Sequence, residues 1–168
     1  MRPTKDETWL AVASVIAERG TCARRRVGCV LVNSLGHVLS TGYNGVANSL
    51  PHCTDNPCPG ASHASGSGTS LYLCEAIHAE QNALLQCQNV QEIDTCYVTC
   101  SPCVQCTKLL LQTSCKRVVF LEESSHNKEA RKLWFARHPP SMDHKGDWHS
   151  SWIELHIDTP YIETGLDE

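Results

Sequence analysis

The chain opens on Thr4-Lys5-Asp6-Glu7, a Thr-x-x-Glu capping box, after which Trp9, Val12, Ala13, Ile16 and Ala17 recur at helical spacing. This predicts a first helix ending near Gly20. Val27-Gly28-Cys29-Val30-Leu31-Val32 is a short, almost continuous apolar run, and a second run from Val38 to Tyr43 follows the turn residues Asn33-Ser34-Leu35-Gly36. The pair reads as a hairpin. From Asn48 to Ser70 apolar periodicity gives way to Pro, Gly and Ser, and a loop of that length in a compact domain calls for a functional or metal-based cause. Residues 76–87 then read as a helix, 95–100 as a strand, 103–113 as a helix and 117–121 as a strand. Such alternation indicates crossover units, with a largely parallel sheet and helices on its faces. Ala130, Leu133 and Trp134 predict a further helix, whereas Ile153, Leu155 and Ile157 alternate as in a half-buried strand. Residues 138–147 carry breakers and charge and read as a loop, and 158–168 as an irregular tail. The pattern holds no internal repeat, so residues 1–168 are expected to form one α/β domain.

Composition narrows the classes. A chain of 168 residues buries a core without disulfides. The net charge of -4 removes the broad basic field of a duplex-binding protein, so a nucleic-acid partner is not expected, while a small anionic ligand remains compatible. No stretch approaches the roughly 18 uninterrupted apolar residues of a membrane span, and Arg2-Pro3-Thr4-Lys5-Asp6-Glu7 is no signal-peptide core. A soluble, cytoplasmic protein without a membrane partner is the expectation. The eleven cysteines are odd in number and scattered through apolar and polar segments, unlike a secreted disulfide framework. Cys29, Cys87, Cys96 and Cys115 lie among apolar neighbours and read as buried thiols.

His78-Ala79-Glu80 and Pro102-Cys103-Val104-Gln105-Cys106 each fall where a predicted helix begins. Two cysteines two residues apart in a first helical turn can aim both sulfurs at one ion, and a histidine from a neighbouring helix adds a third ligand. Three protein ligands leave one tetrahedral position open, which separates a catalytic zinc from a closed structural one. Glu80 starts from the same turn as His78 and is placed to move protons. Positive helix N-termini favour the thiolate form of the cysteines. The bland alternative is a structural zinc in a binding module. Arg24-Arg25-Arg26 is the densest basic run; arginine's planar fork suits phosphate, and Arg24 and Arg26 are the candidate ligands, the alternative being a solvated surface run.

The His-x-Glu and Pro-Cys-x-x-Cys pair matches the signature of zinc-dependent deaminases. With Gly42-Tyr43-Asn44-Gly45, Thr21-Cys22 ahead of Val27-Gly28, His78-Ala79-Glu80-Gln81-Asn82-Ala83 and Tyr97-Val98-Thr99-Cys100-Ser101-Pro102-Cys103, the chain from Arg2 to about Leu121 resembles deoxycytidylate deaminases. The resemblance implies a three-layer α/β/α fold around a five-stranded mixed sheet, and hydrolysis of dCMP to dUMP and ammonia at a zinc held by His78, Cys103 and Cys106. It implies that Glu80 shuttles protons, that the Ala79 amide and the Ser101 carbonyl hold the base, and that Asn44 lies near the sugar. Adenosine in tRNA and a 5-substituted dCMP are the alternative substrates.

Some phage relatives carry a second, structural zinc, and Cys22 and Cys53 match two of its ligand positions. Ala76 replaces a carboxylate found there, leaving Cys58, His63 and Cys74 as candidates for the rest. Many relatives are hexamers activated by dCTP and inhibited by dTTP through an aromatic residue and an arginine after the catalytic motif. Those turns here carry Gln86 and Asn89, so the resemblance extends to a homo-oligomer, a hexamer by preference, further than to the effectors. Leu84 and Leu85 offer an apolar flank for contacts between copies, and Ser124-Ser125-His126 replaces a tyrosine-containing segment.

Overall fold

A computed structural model describes residues 2–62, 71–124 and 127–157. The elements are α1 (Lys5–Ala17), β1 (Gly28–Val32), β2 (Val38–Tyr43), α2 (Pro59–Ser62), α3 (Ala79–Gln86), β3 (Thr95–Cys100), α4 (Val104–Leu111), β4 (Arg117–Glu122), α5 (Lys128–Arg137), β5 (Ser141–Met142), β6 (Trp148–His149) and β7 (Trp152–Glu154). At the start of α1 the capping box closes as its residues dictate. The Glu7 amide donates to Thr4 Oγ1 at 3.2 Å, and the Thr4 amide donates to the Glu7 carboxylate at 2.6 Å.

Five strands form one sheet in the order β2-β1-β3-β4-β7. β3, β4 and β7 run parallel, as crossover units require, but β1 is antiparallel to both its neighbours, so the sheet is mixed rather than largely parallel. The reason is topological. The hairpin sends β2 back along β1, and α3 then carries the chain across to β3 on the far side, leaving β1 between two strands of opposite direction.

Side chains alternate across this sheet. Cys29, Leu31, Cys96, Val98, Val118, Phe120 and Trp152 face α3, α4 and α5, where Ala83, Leu110 and Trp134 close the core. Val30, Val32, Tyr97 and Val119 face Leu10 and Ala13 of α1. Two glycines set how closely the helices approach: a Cβ on Gly28 would stand 2.0 Å from the Ala13 carbonyl oxygen, and one on Gly42 would stand 2.2 Å from that of Ala79. Cys29, Cys96 and Cys115 are fully buried as expected, while Cys87 is half-buried.

Three boundaries differ from the sequence pattern. The helix expected over 76–87 begins at Ala79, because Ile77 pairs with Gly45 through two backbone hydrogen bonds of 2.8 and 3.1 Å and holds the preceding residues extended. The region expected as a loop over 138–147 contains β5, which pairs with β6 around a turn in which Asp143 Oδ1 accepts the amides of Lys145 and Asp147. The last strand starts at Trp152 and is short, although the Leu155 amide still donates to the Phe120 carbonyl. The long loop carries α2, and the expectation for the tail lies outside the described residues.

Candidate functional site

His78 occupies the N-cap of α3 and Cys103 the N-cap of α4, and the two helix N-termini converge where His78 meets the Cys103 sulfur. The Asn82 amide donates to the His78 carbonyl and the Thr107 amide to that of Cys103, both at 2.9 Å, which fixes the two caps to their helices. The His78 amide donates to Gln81 Oε1 at 2.9 Å. Cys106, one turn into α4, is fully buried. His78 Nδ1 lies 3.5 Å from the sulfurs of both Cys103 and Cys106. Among the described residues these three form the group whose ligand atoms all fall within 4.8 Å of one another. Bonds of about 2.3 Å to sulfur and about 2.0 Å to nitrogen, at a tetrahedral angle, put the donor atoms about 3.5 Å apart, so the spacing suits zinc.

The charges suit a cation as well. The Cys106 thiol donates to Cys103 and, with His78, brings the Cys103 thiol down to about 4 despite burial. His78 is raised chiefly by its hydrogen bond to Cys103. Glu80 is 3% exposed, and burial pushes its carboxyl up to about 7 against the pull of its own backbone amide and of His78. A buried carboxyl poised near neutrality, beside three zinc donors, can take up and give back a proton.

His78, Glu80 and Cys103 line a cavity of about 150 Å³ whose walls also include Arg24, Arg25, Asn44, Ala79, Ser101 and Asn127. Ala79 is the first helical residue of α3, a position whose amide has no partner inside the helix. Asn44 reaches the wall with its side chain already engaged: Nδ2 donates to the Arg25 carbonyl at 2.7 Å, and Oδ1 accepts the Val27 amide at 2.8 Å. It braces the arginine segment against the cavity. Of the two arginines expected to meet phosphate, Arg24 lines the cavity, whereas Arg26 pairs with Glu18 at 3.2 Å and does not. Arg25 stands in its place, paired with Glu122. Only the run of three arginines pointed to Arg25 in the sequence, the Ser124-Ser125-His126 departure drew notice to Ser124, and nothing there signalled Asn127.

The cysteines proposed for a second metal are partly gathered. Cys22, Cys58 and Cys74 line the same cavity, and Cys53 is 1% exposed. Burial works to raise the Cys58 thiol, but the backbone amides of Glu75, Ala61 and Gly60 and the Cys53 thiol outweigh it and bring it below its ordinary value. Cys74 is raised by burial and by the nearby Cys58 and Cys22. His63 lies outside the described residues.

The family model of the cytidine and deoxycytidylate deaminase zinc-binding region matches residues 3–122. The chain belongs to this family. Within it, the chain is 35% identical over 135 residues to the deoxycytidylate deaminase of Saccharomyces cerevisiae, covering 79% of this chain and 42% of that one. It is 39% identical over 130 residues to that of Mycobacterium phage D29, covering 73% and 98%. The chain thus spans about two fifths of the length of the yeast relatives and nearly all of the phage one. Among solved structures, the dCMP deaminase of cyanophage S-TIM5 in complex with dCMP and dUMP superposes with a TM-score of 0.63 at 24% identity, covering 81% of this chain and 93% of that one. That likeness shows the cytidine-deaminase-like fold: a five-stranded mixed sheet between helices. No described helix is long and apolar enough to cross a membrane.

Proposed function

We propose that this family member deaminates dCMP to dUMP and ammonia by hydrolysis. The observation that carries the reading is one cavity lined by His78, Cys103, the buried Glu80 carboxyl and two arginines, with Cys106 completing the group of three zinc donors. His78, Cys103 and Cys106 would hold the ion. Zinc in such a three-ligand site supplies the Lewis acidity that makes water nucleophilic at neutral pH. Glu80 takes the proton that water loses on adding to C4 and passes it to ring N3; it then takes the proton of the C4 hydroxyl, which becomes the carbonyl, and gives it to the amine as the C4–N bond breaks and ammonia leaves, one carboxyl serving as base and acid in turn. The Ala79 amide donates to the base carbonyl, and the buried Ser101 carbonyl accepts from the exocyclic amine. Asn44 keeps the Arg24–Arg25 segment at the cavity wall, where the guanidinium groups meet the 5′-phosphate.

Cys22, Cys53, Cys58 and Cys74, with His63 as an alternative ligand, would hold a second, structural zinc. Backbone amides directed at the Cys58 sulfur support this, because such donors stabilise a thiolate. The exposed Leu85 on α3 supports a homo-oligomer, with a hexamer preferred. Gln86 and Asn89 supply neither an aromatic ring nor a cation for dCTP or dTTP, so the reading does not extend to those effectors.

Turnover of dCMP, deoxycytidine and 5-methyl-dCMP by zinc-loaded protein, followed by ammonia release, tests the function. The expected result is dCMP turnover with kcat/KM on the order of a hundredfold above deoxycytidine, the worth of two charge-assisted phosphate contacts. Absence of dCMP turnover overturns it, and a preference for 5-methyl-dCMP moves the substrate to the 5-substituted class.

A further inference from the structure

Ser101 is the last residue before Pro102 and the ligand Cys103, and the chain after β4 grips it from one side. Its amide donates to the Glu122 carbonyl at 2.9 Å, and its hydroxyl oxygen accepts the Ser124 amide at 3.0 Å. Asn127 completes the clip: its Nδ2 donates to the Ser101 carbonyl at 2.7 Å and lies 3.1 Å from Ser101 Oγ. Asn127 is 7% exposed and lines the same cavity wall as Ser101 and Glu80. A carbonyl oxygen has two lone pairs, and the Asn127 amide occupies one at short range. The other is left for a donor inside the cavity.

We propose that Asn127 is a positioning residue that locks the Ser101 carbonyl as a one-sided acceptor, so that the cavity favours an exocyclic amine over an oxo group on the base. The inference rests on the reading of the site as a dCMP deaminase. An amine donates to the fixed lone pair. The oxo group of the product has no hydrogen to donate and sets two acceptors against each other, which disfavours the product where it forms. Without the Asn127 amide, the peptide ahead of Pro102 is free to rotate, so the amine of dCMP loses its aligned acceptor while dUMP, which gained nothing from that carbonyl, loses little, and the preference fades.

The test is binding of dCMP and dUMP by calorimetry in the Glu80→Gln background, where dCMP persists, comparing Asn127 with Asn127→Ala and Asn127→Asp. Asp retains the shape and helix-capping capacity of Asn while removing the donor, which keeps the comparison usable if the alanine variant folds poorly. Both variants are expected to lower the ratio of dUMP to dCMP dissociation constants by about five- to tenfold, the worth of one hydrogen bond. Zinc content should be unchanged and dUMP affinity should hold within about twofold. In the active background KM for dCMP should rise in step. Equal weakening of both nucleotides, or no change in the ratio, overturns the role of Asn127 while leaving the deaminase reading in place. A Glu80→Gln protein that binds neither nucleotide overturns the deaminase reading and this inference with it.

Discussion

Glu80 carries the most chemistry per atom in this chain. Its carboxyl is buried beside the Cys106 thiol and is pushed up to about 7, so at neutral pH it sits between its two protonation states. Replacing it by glutamine keeps the shape and removes the exchangeable proton. Glu80→Gln is expected to lower kcat on dCMP by about 10²- to 10⁴-fold while zinc content and melting temperature stay close to the parent protein. A binding module stabilised by zinc would instead keep its ligand affinity and show no turnover in either form, which an ammonia assay separates. The neighbouring positions divide the work. Asn44, expected near the sugar, spends both side-chain atoms on the Arg25 carbonyl and the Val27 amide. In the proposed complex its effect on phosphate would pass through the arginine segment. The pattern Gly-Tyr-Asn-Gly made that asparagine conspicuous, but sequence could not say that its partners would be backbone groups.

Elements position the site through contact distances that leave no slack. α3 lies against β2 where Gly42 meets the Ala79 carbonyl, one residue after His78. Gly42→Ala would put a methyl group 2.2 Å from that oxygen and 2.4 Å from the Ala83 nitrogen, so the helix must move. The expected outcome is a loss of about 1–3 kcal/mol in denaturant unfolding, with zinc bound more weakly because His78 shifts away from the two thiols. Zinc competition against a chromophoric chelator measures the second effect. Unchanged zinc affinity in the variant would show that α3 absorbs the methyl without moving its N-terminus. The helix boundaries follow the same logic. Apolar spacing placed a helix over 76–87, yet the Gly45–Ile77 bridge delays its start to Ala79 and so makes His78 a cap instead of an interior residue. Long-range backbone pairing of that kind leaves no periodic mark in the chain.

At the scale of the whole molecule, the cysteine-rich segments form part of the wall of the same cavity as His78 and Glu80. Cys22, Cys58 and Cys74 line the cavity, and the Cys53 thiol hydrogen-bonds to Cys58. A second zinc there would tie the loop after β2 to the segment before α3. Metal analysis of purified protein is expected to give two zinc ions per chain. Cys53→Ser should remove one of them and lower the melting temperature by several degrees, with kcat reduced far less than in a His78 variant. One ion per parent chain would reject the second site. The fold around both places was largely legible: seven of the main elements follow from capping, alternation and apolar runs, among them α1, β1, β2, β3, α4, β4 and α5. The small β5–β6 ribbon was not, because two-residue strands have too short a period to distinguish from a polar loop.

By itself the sequence determined the chemistry available and the local structure that presents it. His-x-Glu and Pro-Cys-x-x-Cys supply zinc donors and a carboxyl at helix starts, since residue type sets ligand chemistry and helix caps are local. Tertiary structure decided which groups meet. It chose Arg25 over Arg26 for the cavity wall, turned Asn44 into a brace, and brought Asn127 onto the Ser101 carbonyl. Those outcomes depend on crossover topology and on close backbone approach between segments far apart in the chain, and neither is encoded in the spacing of any one motif.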